Sequence, residues 1–578
     1  MIKIKRRVLP EEAIRALEQT SLHPVLKRLY AARGVSNPSE ITYDLAQLAP
    51  YHGLLHIEKA AAFLGQALQA QKRFLIVGDF DADGATATAV AVRALHLLGA
   101  QQVNFLVPNR FEYGYGLTPA IVDVAAQKKP DVLITVDNGI ASNEGVERAR
   151  EYGIDVVVTD HHLPGKELPN AAVIVNPNQP HDTFPSKSMA GVGVIFYVML
   201  ALRSYLKEHQ WFEKQGINAP NMASLLDLVA LGTVADVVPL DYNNRILVHQ
   251  GLKRIQASKC CTGILALLEI AKRDLSQLTA ADVAFAIAPR LNAAGRLDDM
   301  SLGIQCLLTD NCETARMQAQ QLDELNLERR DIEQEMHQQA LKSMESLALD
   351  PRYLPSGVCL YEPSWHQGVI GILAGRIKEK FHRPVIAFAD SMQENELKGS
   401  ARSIPGVHIR DSLDAIAKKH PELLQKFGGH AMAAGLSIIK SNFSAFQKAF
   451  REQITEELKD EPLQAELWTD GALSPEDFNL DLASLLRQSG PWGQHFPEPL
   501  FDGVFTLHQH YLLKGKHLKM CLGYENHPLA IDAIAFNVDD KQWPNHRCKK
   551  VYAVYKLDVN IYKGKCTVQL LVEHIQAA

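Results

Sequence analysis

Paired cysteines are scarce in this chain: its eight cysteines are scattered over 578 residues, Cys260-Cys261 is the only close pair, and no C-x-x-C spacing occurs. That excludes a disulfide framework and a thiolate zinc site, and it fits reduced thiols in a cytoplasmic protein. Long hydrophobic runs are also missing. The longest, Ala190 to Leu202, falls short of the roughly 20 residues a membrane span needs and reads as a buried helix. The opening MIKIKRRVLPEEAIRAL is charged and lacks an apolar core segment, so no secretory signal is expected. No G-x-x-x-x-G-K-[ST] is present, which excludes P-loop nucleotide hydrolysis. Excess charge of one sign is absent as well. A net charge of −6 and a pI near 6.4 leave no dominant basic surface, so a polyanion would have to be held by local patches.

What is present is core material. Apolar residues at 47% and charged residues at 22% are ordinary for a globular protein, and the length predicts three or four domains. Residues 1–72 read as a helical N-terminal cover. From Arg73 to about Pro177 strands alternate with helices: strands at Phe74–Val77, Val103–Val107, Val132–Val136, Val156–Thr159 and Val173–Val175, helices near Thr86–Leu98, Pro119–Gln127 and Asn143–Tyr152. That pattern predicts an α/β fold with a doubly wound, mostly parallel sheet, continuing through a mainly helical stretch to about residue 310. Residues 311–349 are polar-rich and free of Pro and Gly; a continuous helix there would extend on the order of 50 Å as a connector. A second α/β domain follows over 350–458. After an acidic linker, residues 467–578 carry short strand-like runs that suggest a small β-barrel or an antiparallel sheet.

The densest chemical signal is Asp79-Phe80-Asp81-Ala82-Asp83-Gly84, directly after the apolar run Phe74 to Gly78. Two carboxylates about 4 Å apart repel by about 4 kcal/mol at an effective dielectric of about 20, so a fold that converges them needs a cation nearby. A calcium loop would place ligands at positions 1, 3 and 5 and Gly at 6, as here, but requires Glu at position 12, where this chain has Val90. Such a loop also follows a helix, whereas Arg73 to Gly78 reads as a buried strand. Three further motifs join this one: Val136-Asp137-Asn138-Gly139, Thr159-Asp160-His161-His162 and Gly232-Thr233-Val234-Ala235-Asp236. Taken singly, the first is most often a turn and a His pair a surface feature. Together they make an oxygen-rich site at the carboxyl ends of the strands, which points to Mn²⁺ or Mg²⁺.

In this order the motifs resemble the DHH phosphoesterase superfamily. With Arg290-Leu291-Asn292-Ala293-Ala294-Gly295-Arg296, Ser400-Ala401-Arg402-Ser403 and Gly428-Gly429-His430-Ala431, they resemble its RecJ branch of single-stranded-DNA exonucleases over essentially the whole chain. The resemblance implies two α/β domains, DHH and DHHA1-like, joined by the long helix around a catalytic cleft, and an OB-like barrel holding the strand. It implies a two-metal phosphodiesterase with Asp81, Asp83, Asp137, His161 and Asp236 as ligands, Asp137 bridging the ions and Asp79 either an outer ligand or a support behind the ligands. Asp160 would orient the ring of His161, and His162 would face the scissile phosphate. Two ions suit the task, because a water must be activated and charge neutralised on both attacking and leaving oxygens.

The basic motifs meet the remaining needs. Arg290 and Arg296 can fork onto phosphate oxygens, with Asn292 as a neutral donor, so this loop is the candidate pocket for a 5′-phosphate. Ser400, Arg402, Gly429 and His430 would reach the same nucleotide from the second domain. Arg110, in the aromatic and Gly-rich segment Pro108 to Gly116, is suited to guiding unstacked bases. Trp492 and Phe496 could stack on bases or serve in packing. From Phe501 to Ala578 there are 10 Lys and Arg against 7 Asp and Glu. The expected activity is 5′ to 3′ hydrolysis of single-stranded DNA to mononucleotides in recombination and repair. The expected protein is a cytoplasmic monomer working beside a helicase and a single-strand-binding protein, away from membranes. Hydrolysis of oligoribonucleotides or cyclic dinucleotides, and a non-catalytic replication scaffold, are the alternatives. The barrel argues against the first and the intact aspartates against the second.

Overall fold

The computed structural model describes residues 2–109, 112–347, 354–458, 464–524, 527–538, 543–545, 547–562 and 564–578. The chain divides into two units: Ile4–Leu291, Met300–Ala319 and Glu466–Ala578 in the larger, and Met1–Lys3, Asn292–Asp299 and Gln320–Ala465 in the smaller. No helix among the described residues is long and apolar enough to cross a membrane, and all eight cysteines are free thiols.

In the larger unit, β1 (Lys3–Arg6) lies ahead of the helices Glu11–Glu18, Pro24–Ala31 and Ile57–Gln69, so the expected helical cover begins with a strand. The catalytic-type sheet follows: β2 (Phe74–Gly78), β3 (Val103–Leu106), β4 (Val132–Val136), β5 (Asp155–Thr159) and β6 (Val173–Val175). Every pairing is parallel, in the order β3-β2-β4-β5-β6. The first strand of the set therefore lies between the second and third, and the gap beyond the carboxyl ends of β2 and β4 is the topological switch point at which such sheets place ligands. β2 and β4 are buried at every residue, which is why they read as unbroken apolar runs. Helices Ala82–Leu97, Gly191–Glu208 and Leu226–Ala235 pack together behind them.

The smaller unit holds β7 (Val358–Tyr361), β8 (Val385–Asp390), β9 (Glu396–Arg402), β10 (Lys426–Gly429) and β11 (Ala433–Ile439), ordered β10-β11-β9-β8-β7. Only β7 and β8 run parallel. Helix Ile370–Phe381 covers one face, burying Leu373, Ala374 and Ile377, and Phe446 and Phe450 pack on the other side. The Pro-free and Gly-free run is a single helix, Cys312–Leu347.

The C-terminal region belongs to the larger unit. β12 (Glu466–Thr469) pairs with β1, and β13 (Phe501–Leu513), β14 (His517–Gly523), β15 (Ala530–Ala535), β16 (Lys550–Tyr562) and β17 (Lys565–Ala577) close a barrel. Its order is first, second, third, fifth, fourth, with β15 and β17 the parallel pair; this is a five-stranded OB-type closure. Trp492 and Phe496 stack on each other at 5.3 Å, and Phe496 is 1% exposed with the Arg245 guanidinium 4.3 Å from its ring. They serve in packing.

A buried ion pair ties this region to the N-terminal helices. The Arg33 guanidinium donates to both carboxylate oxygens of Asp470 at 3.0 Å, with side chains 1% and 0% exposed, and to the Pro497 carbonyl at 2.7 Å. Arg33→Ala leaves buried Asp470 with Arg7, 3.6 Å away, as its remaining cation, and is expected to lower unfolding stability by about 3 kcal/mol, the lower end of the cost of breaking a buried pair. Denaturant titration checks this; a change below about 1 kcal/mol, the scale of an exposed pair, would disprove the role.

Candidate functional site

The chain leaves β2 at Asp79 and enters helix Ala82–Leu97 through Asp81, whose Oδ1 caps it by accepting from the amides of Asp83 (2.9 Å) and Gly84 (3.0 Å). Such a cap stabilises a helix by about 1 kcal/mol. Strand, cap and helix, rather than helix and loop, explain why the segment matches only the start of a calcium loop. Gly84 is required here, since a Cβ would lie 2.7 Å from the Asp79 Cα. Asp83 is 1% exposed and accepts from the amides of Gly191 (2.6 Å) and Val192 (3.0 Å), the first residues of helix Gly191–Glu208. The positive end of that helix stabilises the carboxylate. Glycine brings the surrounding helices this close: a Cβ on Gly191 would lie 2.5 Å from the Asp137 Cβ, and one on Gly232 would lie 2.9 Å from Asp83 Oδ1.

β4 delivers Asp137, left-handed at φ 62° and 2% exposed, followed by buried Asn138, whose Nδ2 donates to the carbonyls of Val77 (3.1 Å) and Val136 (2.9 Å). β5 delivers Asp160, His161 and His162. Asp236 follows helix Leu226–Ala235 as its C-cap, with Val237 left-handed at φ 59° behind it. His161 Nε2 lies 3.0 Å from Asp137 Oδ1 and 3.5 Å from Asp236 Oδ2. Three overlapping groups result, each with its ligating atoms within 4.8 Å of one another: Asp79, Asp81 and Asp137; Asp83, His161 and Asp236; and Asp137, His161 and His162. Asp137 and His161 are each shared by two groups.

One expected role is corrected. Asp160 holds the ring of His162, not that of His161: its Oδ1 is 2.7 Å from His162 Nδ1 and accepts from the backbone amides of His161 (2.7 Å) and His162 (3.1 Å), while Oδ2 accepts from Ile140 (2.9 Å). A carboxylate bound to the two amides that follow it reaches the ring two residues on, because the intervening ring turns away toward Asp137 and Asp236. Sequence reading missed Tyr115. Its hydroxyl lies 3.2 Å from the ring nitrogens of His162 and donates to the Asp137 carbonyl at 3.4 Å. The aromatic segment Pro108 to Gly116 was the signal for it. Arg110, singled out in that segment, lies outside the described residues. The amides of Gly191 and Val192 gave no sequence signal at all.

The electrostatics follow from burial. Burial, then repulsion from Asp81, pushes the Asp83 carboxyl up to about 7. Burial and the charges of Asp83, Asp81, Asp236 and Asp79 hold Asp137 well above the usual carboxylate range, and burial with Asp83, Asp81 and Asp79 does the same to Asp236. His162 goes the other way. Burial would lower its pKa, but the bond to Asp160 and the charges of Asp160, Asp79 and Asp81 outweigh it and raise the ring to about 9. For Asp160, burial would raise the carboxyl, and the bond and charge of His162 outweigh that and keep it low.

The Arg290 to Arg296 motif, expected as a loop, is helical within Ala288–Leu297. Its Ala, Leu and Arg residues are good helix formers. Arg290 donates to the Ala286 carbonyl in the larger unit. The smaller unit assembles the others. Arg296 donates to the Gly368 carbonyl at 3.1 Å, Arg402 donates to Ser400 Oγ at 3.1 Å, and a Cβ on Gly371 would lie 2.9 Å from both Arg402 and Ser400. Register places Ala433 beside Arg402 and Ala434 beside Gly429, and the His430 amide donates to the Ala433 carbonyl at 2.8 Å, so Arg402, Gly429 and His430 share one end of the sheet. Gly429, at φ 140°, leaves no room for a side chain: a Cβ would lie 2.5 Å from the Ala434 Cα.

Family models match the chain in three places: the DHH family N-terminal domain over residues 73–233, the DHHA1 domain over 354–456 and the RecJ OB domain over 469–574. The chain is 52% identical to the single-stranded-DNA-specific exonuclease RecJ of Escherichia coli over 99% of both chains, and 49% identical to that of Haemophilus influenzae, again over 99% of both. Its fold matches RecJ of Thermus thermophilus in complex with Mn²⁺ with a TM-score of 0.80 and 30% identity, covering all of this chain and 79% of that one. Motifs, sheet order, barrel closure and full-length identity agree, and the chain belongs to the RecJ family of single-stranded-DNA-specific exonucleases.

Proposed function

We propose that the chain hydrolyses single-stranded DNA from its 5′ end, releasing mononucleotides, with Mn²⁺ or Mg²⁺ as its metal. The observation that carries this reading is the overlap of three ligand groups at the switch point of the parallel sheet. The donor set fits such ions: buried Asp137 Oδ1 and Asp236 Oδ2 accept no hydrogen bond among the described residues, and carboxylate oxygens with a single imidazole make a hard site. Asp81, Asp83, Asp137, His161 and Asp236 would hold two ions, with Asp137 shared and Asp79 beside Asp81. Bound there, the ions supply an activated water and charge neutralisation on the attacking and leaving oxygens. The chain's own groups do the rest. Asp160 aims His162 so that the ring faces the scissile phosphate, with the Tyr115 hydroxyl beside it. Arg290, Asn292 and Arg296 bind the 5′-phosphate, and Ser400, Arg402, Gly429 and His430 reach the same nucleotide, with Arg110 guiding bases.

The barrel favours a polymeric strand over a dinucleotide. In this layout residues 73–310 are the catalytic domain, 311–349 the connecting helix, 350–458 the DHHA1-like domain and 467–578 the strand-holding domain, behind a cover of residues 1–72. The protein acts as a cytoplasmic monomer. A separate helicase supplies unwound strands, since the chain has no P-loop, and a single-strand-binding protein coats them.

Three outcomes are expected. Asp137→Ala lowers nucleotide release from the 5′ end of labelled single-stranded DNA by roughly three orders of magnitude or more; equal activity in the variant, or release beginning at the 3′ end, sinks the assignment. Arg290→Ala reduces the preference for a 5′-phosphorylated over a 5′-hydroxyl strand more than it reduces Mn²⁺ affinity, read by end-labelled kinetics beside a metal titration. The third is a pH effect. Asp83, Asp137 and Asp236 bind protons more tightly folded than unfolded, so their stabilising contribution is full below about pH 4 and is lost as pH rises toward 7. Without divalent ions, the thermal midpoint therefore falls over that window more steeply in the wild type than in Asp83→Asn. Mn²⁺ at about 100 times its Kd restores about 2.7 kcal/mol. Parallel melting curves for the two proteins in chelator would contradict this.

A further inference from the structure

Phe285 is the most exposed aromatic side chain among the described residues, at 73%. Single exposed apolar residues are ordinary. Three observations separate this one. It sits in a π-helical turn, Val283–Ile287, in which the Ala288 amide donates to the Val283 carbonyl and in which Val283, Ala286 and Ile287 are buried. The wide turn thus packs its apolar neighbours inward and leaves the phenyl ring in solvent; turns of this kind cluster at functional sites. The turn packs against helix Leu226–Ala235, which ends at Asp236 in the ligand cluster. It also runs directly into helix Ala288–Leu297, and the Arg290 guanidinium folds back to donate to the carbonyl of Ala286, the residue next to Phe285.

We propose that Phe285 is a base-stacking residue for the nucleotide whose phosphate Arg290 binds, an inference that rests on the reading of Arg290 given above. A guanidinium anchored one residue from an exposed phenyl face offers the two chemistries that one nucleotide presents, an anionic phosphate and a flat π surface. Stacking accepts any base, as an exonuclease that works along arbitrary sequence requires. The ring contributes little to folding, because it is already in water when the protein is free of DNA.

The test compares wild type, Phe285→Ala and Phe285→Trp on 5′-phosphorylated single-stranded oligonucleotides. One strand carries every base, and others lack a single base at each of the positions nearest the 5′ end. Binding is read by fluorescence anisotropy in chelator, hydrolysis by kcat/KM in Mn²⁺. Phe285→Ala is expected to weaken binding of the complete strand by about 5- to 150-fold, with Phe285→Trp close to wild type and the melting temperature unchanged. At one abasic position the wild type should lose the same factor and Phe285→Ala should lose nothing more. Wild-type affinity in Phe285→Ala, or an equal additional loss in both proteins at every abasic position, overturns the proposal. The underlying reading is separable: if Arg290→Ala keeps the 5′-phosphate preference while Phe285→Ala still shows the abasic signature, the phosphate assignment falls and the stacking stands.

Discussion

Mutual repulsion among buried carboxylates is the constraint around which the larger unit is organised. Asp79, Asp83, Asp137 and Asp236 come within ligating distance of one another or of His161 at the end of a sheet that excludes water from β2 and β4. At an effective dielectric of about 20, each such pair at about 4 Å opposes folding by about 4 kcal/mol. Burial adds to this and, with the neighbouring charges, raises the carboxyl pKa values of Asp83, Asp137 and Asp236. The surroundings offset part of that cost with directed dipoles: the first amides of helix Gly191–Glu208 on Asp83, the helix cap at Asp81, and the Ile140 amide on Asp160. Divalent cations held by Asp81, Asp83, Asp137, His161 and Asp236 would supply the balance.

The backbone pays attention to the same constraint. Asp137 and Val237, both left-handed without being glycine, sit inside or beside the cluster, each at a cost of order 1–3 kcal/mol. Gly191 and Gly232 act oppositely: they remove bulk so that two helices reach the carboxylates. Strain at the ligands and smallness at their supports produce one geometry, in which Asp137 serves two ligand groups at once. His162, held by Asp160, lies within the third group beside Asp137 and His161 and places an imidazole among the carboxylates.

Much of this was legible because parallel strands buried on both faces are written as continuous apolar runs; β4 and β6 carry the predicted bounds, and the candidate ligands Asp79, Asp137 and His161 follow where the runs stop. Helix Pro119–Gln127 was equally plain, with Thr118 capping it and Pro at its first position. The barrel was legible only in part. The strand-like run Phe505–His510 covers only the middle of β13; its continuation to Leu513 is exposed or half-buried. Contacts across great sequence separation left no trace, among them the Gly191 amide on Asp83; the choice of His162 as the partner of Asp160 is local, but it depends on which of two adjacent rings turns back toward the carboxylate. The helical state of Arg290 to Arg296 was obscured by Gly295 and by the concentration of polar groups, although its Ala and Leu residues favour helix.

The ties between the two ends of the chain bear on how the protein is made. Arg33 and Asp470 are 437 residues apart in sequence, and Arg6 reaches Asp502 across 496. A ribosome adding about 5–20 residues per second leaves the first segment without its partners for roughly 20–90 s. During that interval β1 and the early helices hold a cation and an unpaired strand edge that only the last fifth of the protein can cover. The parallel sheet and its carboxylate cluster lie within residues 74–236, so every residue they need is synthesised well before those partners.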